Sequence, residues 1–265
     1  FRLKLFGEDH PDTAQSYNSI GETQHAMKDY KAALESYEHV LQFRLKLFGE
    51  DHPDTAQSYN NIGATQFQMK DYKASLKSVQ HALQIRLKLF GEDHRDTARS
   101  YDDIGATQFL MEDYKSALKS VQHSLQIRLK LFGEDHPDTA RTYNYIGMTQ
   151  HEMKDFKAAL DSHQHALQIR LKLFGENHRD TAESYDKIGR TQHKMKDFTL
   201  VLDSNELAVK SRLKLDEEDN WPKIKTDKKR VKSNVMGREG RRMWRNWFKK
   251  ARKNIYNATK SICKE

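Results

Sequence analysis

The sequence is poor in the features that would staple, anchor or chemically arm a chain. Its one cysteine, Cys263, admits no internal disulfide, so a reducing, cytoplasmic setting is the simpler expectation. No apolar run approaches the ~18 residues that suggest a membrane span. The chain opens on Phe1-Arg2-Leu3-Lys4, with neither a methionine nor a signal-peptide pattern, and reads as a fragment or a trimmed chain. Glycines are few and fall at two fixed places in a repeat. None forms a phosphate cradle, and Gly237-Arg-Glu-Gly240 lacks the spacing for one.

What is present is polar and charged. Hydrophobic residues make up 36% and charged residues 32%, which suits a thin, two-layer structure without a deep central core. The net charge of +8 is unevenly spread. Residues 1–210 carry 28 Lys and Arg against 31 Asp and Glu, whereas residues 211–265 carry 18 against 7. Any affinity for anionic partners therefore belongs to the tail.

The dominant feature is a repeat. Arg2-Leu-Lys-Leu-Phe-Gly-Glu-Asp-His-Pro-Asp-Thr-Ala14 recurs with few changes from Arg44, Arg86, Arg128 and Arg170, a period of 42 residues. Five units fit, near 1–42, 43–84, 85–126, 127–168 and 169–210, and the pattern fails after Leu215. In the second unit, Asp51-His52-Pro53-Asp54 is a helix-start signal. Tyr59, Ile62, Gly63, Gln66 and Met69 then step by three and four along one helix face. Lys70-Asp71 reads as a tight turn. Leu76, Val79, Leu83, Leu87 and Phe90 mark the stripe of a longer second helix, which Gly91 ends. One hairpin cannot bury its stripe alone, so neighbouring units must stack.

Tyr59-x-x-Ile62-Gly63, with Tyr72, Ser75, Val79 and Ala82, resembles the tetratricopeptide pattern over about residues 1–215. The eight residues beyond the usual 34, and the Gly-Glu-Asp-His-Pro-Asp loop, are similar to kinesin light chain and nephrocystin-type arrays. Gln66 departs from the family by standing where an aromatic is usual, and the closing proline is missing. The resemblance implies a right-handed all-α superhelical solenoid of five antiparallel helix hairpins, with first helices lining a concave groove. It implies protein–protein interaction, with cargo or cytoskeletal adaptor work as its sharpest version.

Comparison among the units separates two faces of the first helix. Positions equivalent to Ala56, Tyr59, Ile62, Gly63, Thr65, Gln66 and Met69 hold constant, while those of Gln57, Asn60, Asn61, Ala64, Phe67 and Gln68 vary. The variable stripe is expected to be the groove wall. Its candidate ligand-binding residues are Asn18, Asn60, Asn61, Phe67, Arg99, Asp102, Phe109, Arg141, Asn144, Tyr145, His151, Lys187, Arg190 and Lys194. A peptide with hydrophobic anchors and an acidic flank would suit this wall, its backbone held by the asparagines. The plainer alternative is that variation tracks solvent exposure.

Thirteen histidines invite a metal reading. The loop histidines His10, His52, His94, His136 and His178 lie one repeat apart, too far to share an ion at ~2 Å, so loop or capping duties are expected. His163 and His165 point to different helix faces. No metal, cofactor or catalytic constellation is expected, and Cys263 has no placed histidine to activate it.

After Leu215 the composition changes, and all three tryptophans follow. Lys228-Lys229-Arg230-Val231-Lys232 matches a basic nuclear-import pattern, and Asn257-Ala258-Thr259 a glycosylation acceptor discounted for want of a secretion signal. From Met243 to Ile262 the spacing is that of a basic amphipathic helix. Trp244, Trp247, Phe248, Lys249 and Lys250 would carry its interactions: as a cap on the last unit, on an anionic membrane, or with an acidic partner. The chain thus divides into an array, 1–215, and a basic tail, 216–265. Its expected function is a scaffold or adaptor for protein or peptide segments, with no nucleic acid expected at the array. The alternative of a different class is a membrane-surface or nucleic-acid associating protein that works through the tail.

Overall fold

The computed structural model describes residues 11–196, 203–204 and 206–208. The tail residues singled out above, Trp244, Trp247, Phe248, Lys249 and Lys250 among them, lie outside these, as do His10 and Cys263. Helices follow one another as α1 (Pro11–Ala26), α2 (Tyr30–Phe48), α3 (Pro53–Gln68), α4 (Tyr72–Phe90), α5 (Arg95–Leu110), α6 (Tyr114–Phe132), α7 (Pro137–Glu152), α8 (Phe156–Phe174) and α9 (Arg179–Lys194). First helices have 16 residues and second helices 19. Each packs on the helix before it and the helix after it, so the fold is an all-α solenoid of successive hairpins. Residues 203–204 and 206–208 are helical too, and Ser204 Oγ donates to Gln192 Oε1 of α9 at 2.8 Å.

Local chemistry sets every boundary. The loop histidine is the N-cap of α3, α5, α7 and α9: His52 Nδ1 accepts from the Asp54 backbone N–H at 3.2 Å, and His94, His136 and His178 do the same at 3.1 Å. The ring is held by stacking on the phenylalanine before the loop, as in Phe48–His52 at 4.2 Å. Helices α5 and α9 begin identically on Arg95 and Arg179, so proline at the start is not required. Second helices start on an aspartate cap, Asp71 accepting from Ala74 N–H. They end at Gly91 and its equivalents, where φ +78° and ψ −172° is a conformation essentially closed to other residues. The turn inside each hairpin places a non-glycine residue at positive φ, Lys70 at 64°.

The two helices of a hairpin approach closely at the glycine of the first. A Cβ on Gly63 would come within 2.8 Å of Val79 Cγ1, which is why this place holds glycine. Beside it lies the family departure noted at Gln66. Ser78 Oγ donates to Gln66 Oε1 at 2.8 Å, and the same bond recurs as Ser36–Gln24, Ser120–Gln108, Ser162–Gln150 and Ser204–Gln192. A part-buried serine–glutamine bond thus joins the helices where an aromatic contact is usual.

Between hairpins, the stripe of one second helix covers the first helix that follows. Val79 and Leu83 enclose Ile104, with Leu76 and Leu87 at the margin. Each such side chain contributes about 1.5–3 kcal/mol when fully buried. Two members of the expected stripes are not core: Phe90 and Met69 lie at helix ends and stay exposed, with Phe90 stacked on His94. The inner ends of the interface are polar instead. Thr55 and its equivalents are fully buried and donate to a loop carbonyl, Thr55 Oγ1 to Gly49 O at 2.8 Å.

Candidate functional site

The variable positions of the first helices differ in how far they reach solvent. Among the fourteen residues expected at the groove wall, Arg99, Arg141, Tyr145, Arg190 and Lys194 are exposed. Asn61, Phe67, Asp102, Phe109, His151 and Lys187 are half-buried, and Asn18, Asn60 and Asn144 are buried. The asparagines expected to hold a peptide backbone are largely engaged within the array. Asn61 Nδ2 donates to Asn18 Oδ1 at 3.4 Å across two first helices, and Asn60 Oδ1 accepts from Arg86 at 3.3 Å. Only Asn144 keeps a buried carbonyl oxygen without a partner.

The rings are partly spent in the same way. Phe67 meets Tyr72 edge-to-face at 5.7 Å, Phe109 meets Tyr114 at 5.4 Å, and His151 meets Phe156 at 5.2 Å. Each is anchored on the first residue of its own second helix and presents its remaining edge outward. Tyr145 has no such anchor and is 40% exposed.

Beneath the face runs a ladder of arginines that sequence reasoning passed over. Arg86 and Arg128 are buried at the inner end of second helices, with Arg44 and Arg170 at the equivalent positions. Arg86 Nη1 donates to Ser100 Oγ on the next hairpin at 2.6 Å, and Arg44 to Ser58 Oγ at 2.7 Å. Arg170 donates to Ser184 Oγ at 2.8 Å, and Arg128 to Thr142 Oγ1. The signal was available: Arg86 stands seven residues after Val79 and three after Leu83, a charge on an apolar stripe in every unit. Arg128 also pairs with Asp102 at 2.6 Å, which binds the third hairpin's first helix to its second.

Charge differs along the face. On α5, Asp102 and Asp103 are adjacent. Burial raises the Asp102 carboxyl, against the opposing pull of Arg128 and the nearby Ser124 hydroxyl. Burial pushes Asp103 up to about 6, with Arg99 pulling it down, and its Oδ2 has no hydrogen-bond partner. On α9 the balance reverses. Lys187 lies 3.4 Å from Glu183 and reaches Met148 Sδ at 3.2 Å, while Arg190 and Lys194 project from the outer turns. Among the described residues no group of three or more His, Cys, Asp or Glu could hold a metal ion, and no helix is long and apolar enough to cross a membrane.

The model of the tetratricopeptide repeat matches residues 2–46, 34–88, 54–130, 104–172 and 153–214, most of the chain. The chain belongs to the tetratricopeptide repeat family. No curated protein sequence matches it. Among solved structures this tetratricopeptide chain is similar to BtubC (BKLC) from P. vanneervenii, at 17% identity and TM-score 0.69, over 86% of this chain and 88% of that one. It is similar to a Podosopora anserina putative kinesin light chain with nearly identical TPR-like repeats, at 14% identity and TM-score 0.70, over 78% and 98%. A Rap protein complexed with competence and sporulation factor aligns at 16% identity and TM-score 0.59, over 82% and 62%. At such identities the likeness is one of fold, and a tetratricopeptide solenoid is in general a protein-interaction scaffold.

Proposed function

We propose that the chain is an adaptor that captures peptide segments along the exposed face of its first helices, in the manner of a kinesin light chain cargo adaptor. The observation that carries this reading is the change of chemistry along that face: the position of Glu22 in the first unit holds Ala64, Ala106, Met148 and Arg190 in the next four, and Arg190 and Lys194 are exposed on α9. The ligand chemistry follows the face: apolar side chains against Phe67, Phe109 and Tyr145, and acidic ones toward Arg190 and Lys194 on α9. That a Rap protein of this fold is complexed with competence and sporulation factor supports a ligand on such an array.

The test is selection of a phage-displayed random dodecapeptide library on the full chain. The expected binders carry an apolar or aromatic residue followed by acids. Charge reversal by Arg190→Glu with Lys194→Glu should weaken them at least tenfold without lowering the melting temperature. A library that yields no binder, or binders indifferent to that reversal, sinks the reading.

A further inference from the structure

The acid excess of residues 1–210 averages over unlike parts. Helices α4 and α6 hold no aspartate or glutamate and carry three lysines and an arginine each, whereas α2 and α8 both contain acids. Arg86 and Arg128 are buried, and Lys88 and Lys130 pair with the loop residues Asp51 and Asp93. That leaves Lys73 and Lys77 on α4 and Lys115 and Lys119 on α6, all exposed and in no ion pair among the described residues. Each pair lies one helical turn apart, a spacing at which like charges destabilise a helix. The repeat does not require this. The position of Lys77 and Lys119 holds Glu35 in α2 and Asp161 in α8, opposite in sign to Lys31 and Lys157 four residues earlier. Gln80 and Gln122 likewise stand where α2 has Glu38. A charge pattern that weakens two helices, and that two helices of the same fold do without, is not explained by folding.

We infer that the exposed face of α4 and α6 takes a short acidic segment of a partner protein, at a site separate from the first-helix face. Charge selects an anion, and the surroundings select its length. Acids stand on every side of the patch: Asp71 and Asp113 cap the two helices, Glu50 lies 4.0 Å from His81, and Glu92 lines a cleft with His123. Glu35 on α2 and Asp161 on α8 flank it in the neighbouring units. A nucleic-acid duplex or an anionic bilayer is extended and would carry its further charges onto those acids; a short segment ends before reaching them. The face also lacks what bases or lipid would use. The rings of His81 and His123 are already stacked on Tyr59 and Tyr101, and the exposed neighbours Gln80, Gln84, Gln122 and Gln126 are polar. Their amides add donors for carboxylates beside the lysines.

Carbodiimide cross-linking, which joins a carboxylate to a neighbouring lysine amine, tests this on the full chain. The probe is a glutamate-rich peptide of about ten residues in about 50 mM salt, with adducts mapped by mass spectrometry. The expected adducts are on Lys73, Lys77, Lys115 and Lys119, and those on Lys73 and Lys115 should be lost in Lys77→Glu with Lys119→Glu. That variant installs the charge that α2 and α8 already have at this position, so its melting temperature should not fall. Lys31→Glu with Lys157→Glu makes the same change of net charge on the flanking helices and should leave the adducts in place. So should Arg190→Glu with Lys194→Glu, which separates this result from the one on the first-helix face. Adducts confined to residues 211–265 or to Lys194 would overturn the proposal, as would adducts on Lys73 and Lys115 that survive the double reversal. A DNA duplex or phosphatidylserine vesicles that displace the peptide from these lysines at a lower concentration of charge than unlabelled peptide does would overturn the choice of occupant.

Discussion

Two buried ionisable side chains distinguish otherwise similar repeats. His163 occupies the place of Tyr37, Val79 and Val121, where a Cβ on the facing Gly147 would meet its ring at 2.6 Å. Burial there, with Lys187, His151 and Arg170 adding to it, drives its pKa down to about 3. The folded chain thus keeps His163 neutral while the unfolded chain protonates below about 6.5, so stability is full above 6.5 and falls as pH drops toward 3. Asp103 acts in the opposite sense. Its carboxyl is raised to about 6, so the folded state holds a proton that the unfolded state loses between about 4 and 6. The two effects offset each other in the wild type, and variants separate them. Thermal melts between pH 7.5 and 5 should show His163→Val gaining about 1–2 kcal/mol on the wild type as pH falls. Asp103→Asn, which installs what the second unit has at Asn61, should gain at neutral pH and lose that advantage toward pH 4. Parallel pH profiles for variants and wild type would remove both assignments. The sequence shows a histidine and an aspartate here; it does not show that Asp103 Oδ2 and His163 Nδ1 are buried without a hydrogen-bond partner, because burial is set by how the helices pack.

At the scale of the element, boundaries were legible because their causes are local. The N-cap, the aspartate cap and the glycine stop all act within a few residues of chain, where spacing in sequence equals spacing in space. What was missed is local strain. Lys28, Lys70, Glu112, Lys154 and Lys196 sit at φ of 62–64°, a left-handed conformation that costs a side-chain-bearing residue about 1–2 kcal/mol. Glycine would relieve that cost but adds freedom to the unfolded chain. Lys70→Gly should therefore stabilise by about 0.5–1 kcal/mol, read from the urea midpoint at unchanged slope. A destabilised variant would mean that the Lys70 side chain contributes more than its backbone costs.

The molecule as a whole is held by one interface used again and again, and its weakest economy is the buried arginine. Arg86 joins α4 to α5 through Ser100, and burial lowers its pKa, so its charge is kept at a cost that hydrogen bonds must repay. Arg86→Ala leaves Asn60 and Ser100 without their donor and should cost about 2–4 kcal/mol. In a one-dimensional array the loss is also one of coupling, so unfolding in urea should become broader or biphasic as the hairpins on either side part company. A transition of wild-type steepness would show that apolar contacts alone transmit cooperativity. Hairpin number, helix lengths and the stacking of units all follow from periodicity and caps, which depend on neighbours in the chain. The exposure of Tyr145, the engagement of Asn60 by Arg86 and the buried charge of Asp103 do not. Those depend on which side chain of another hairpin arrives within a few ångströms, and near-identical repeats hide that difference until the units are stacked.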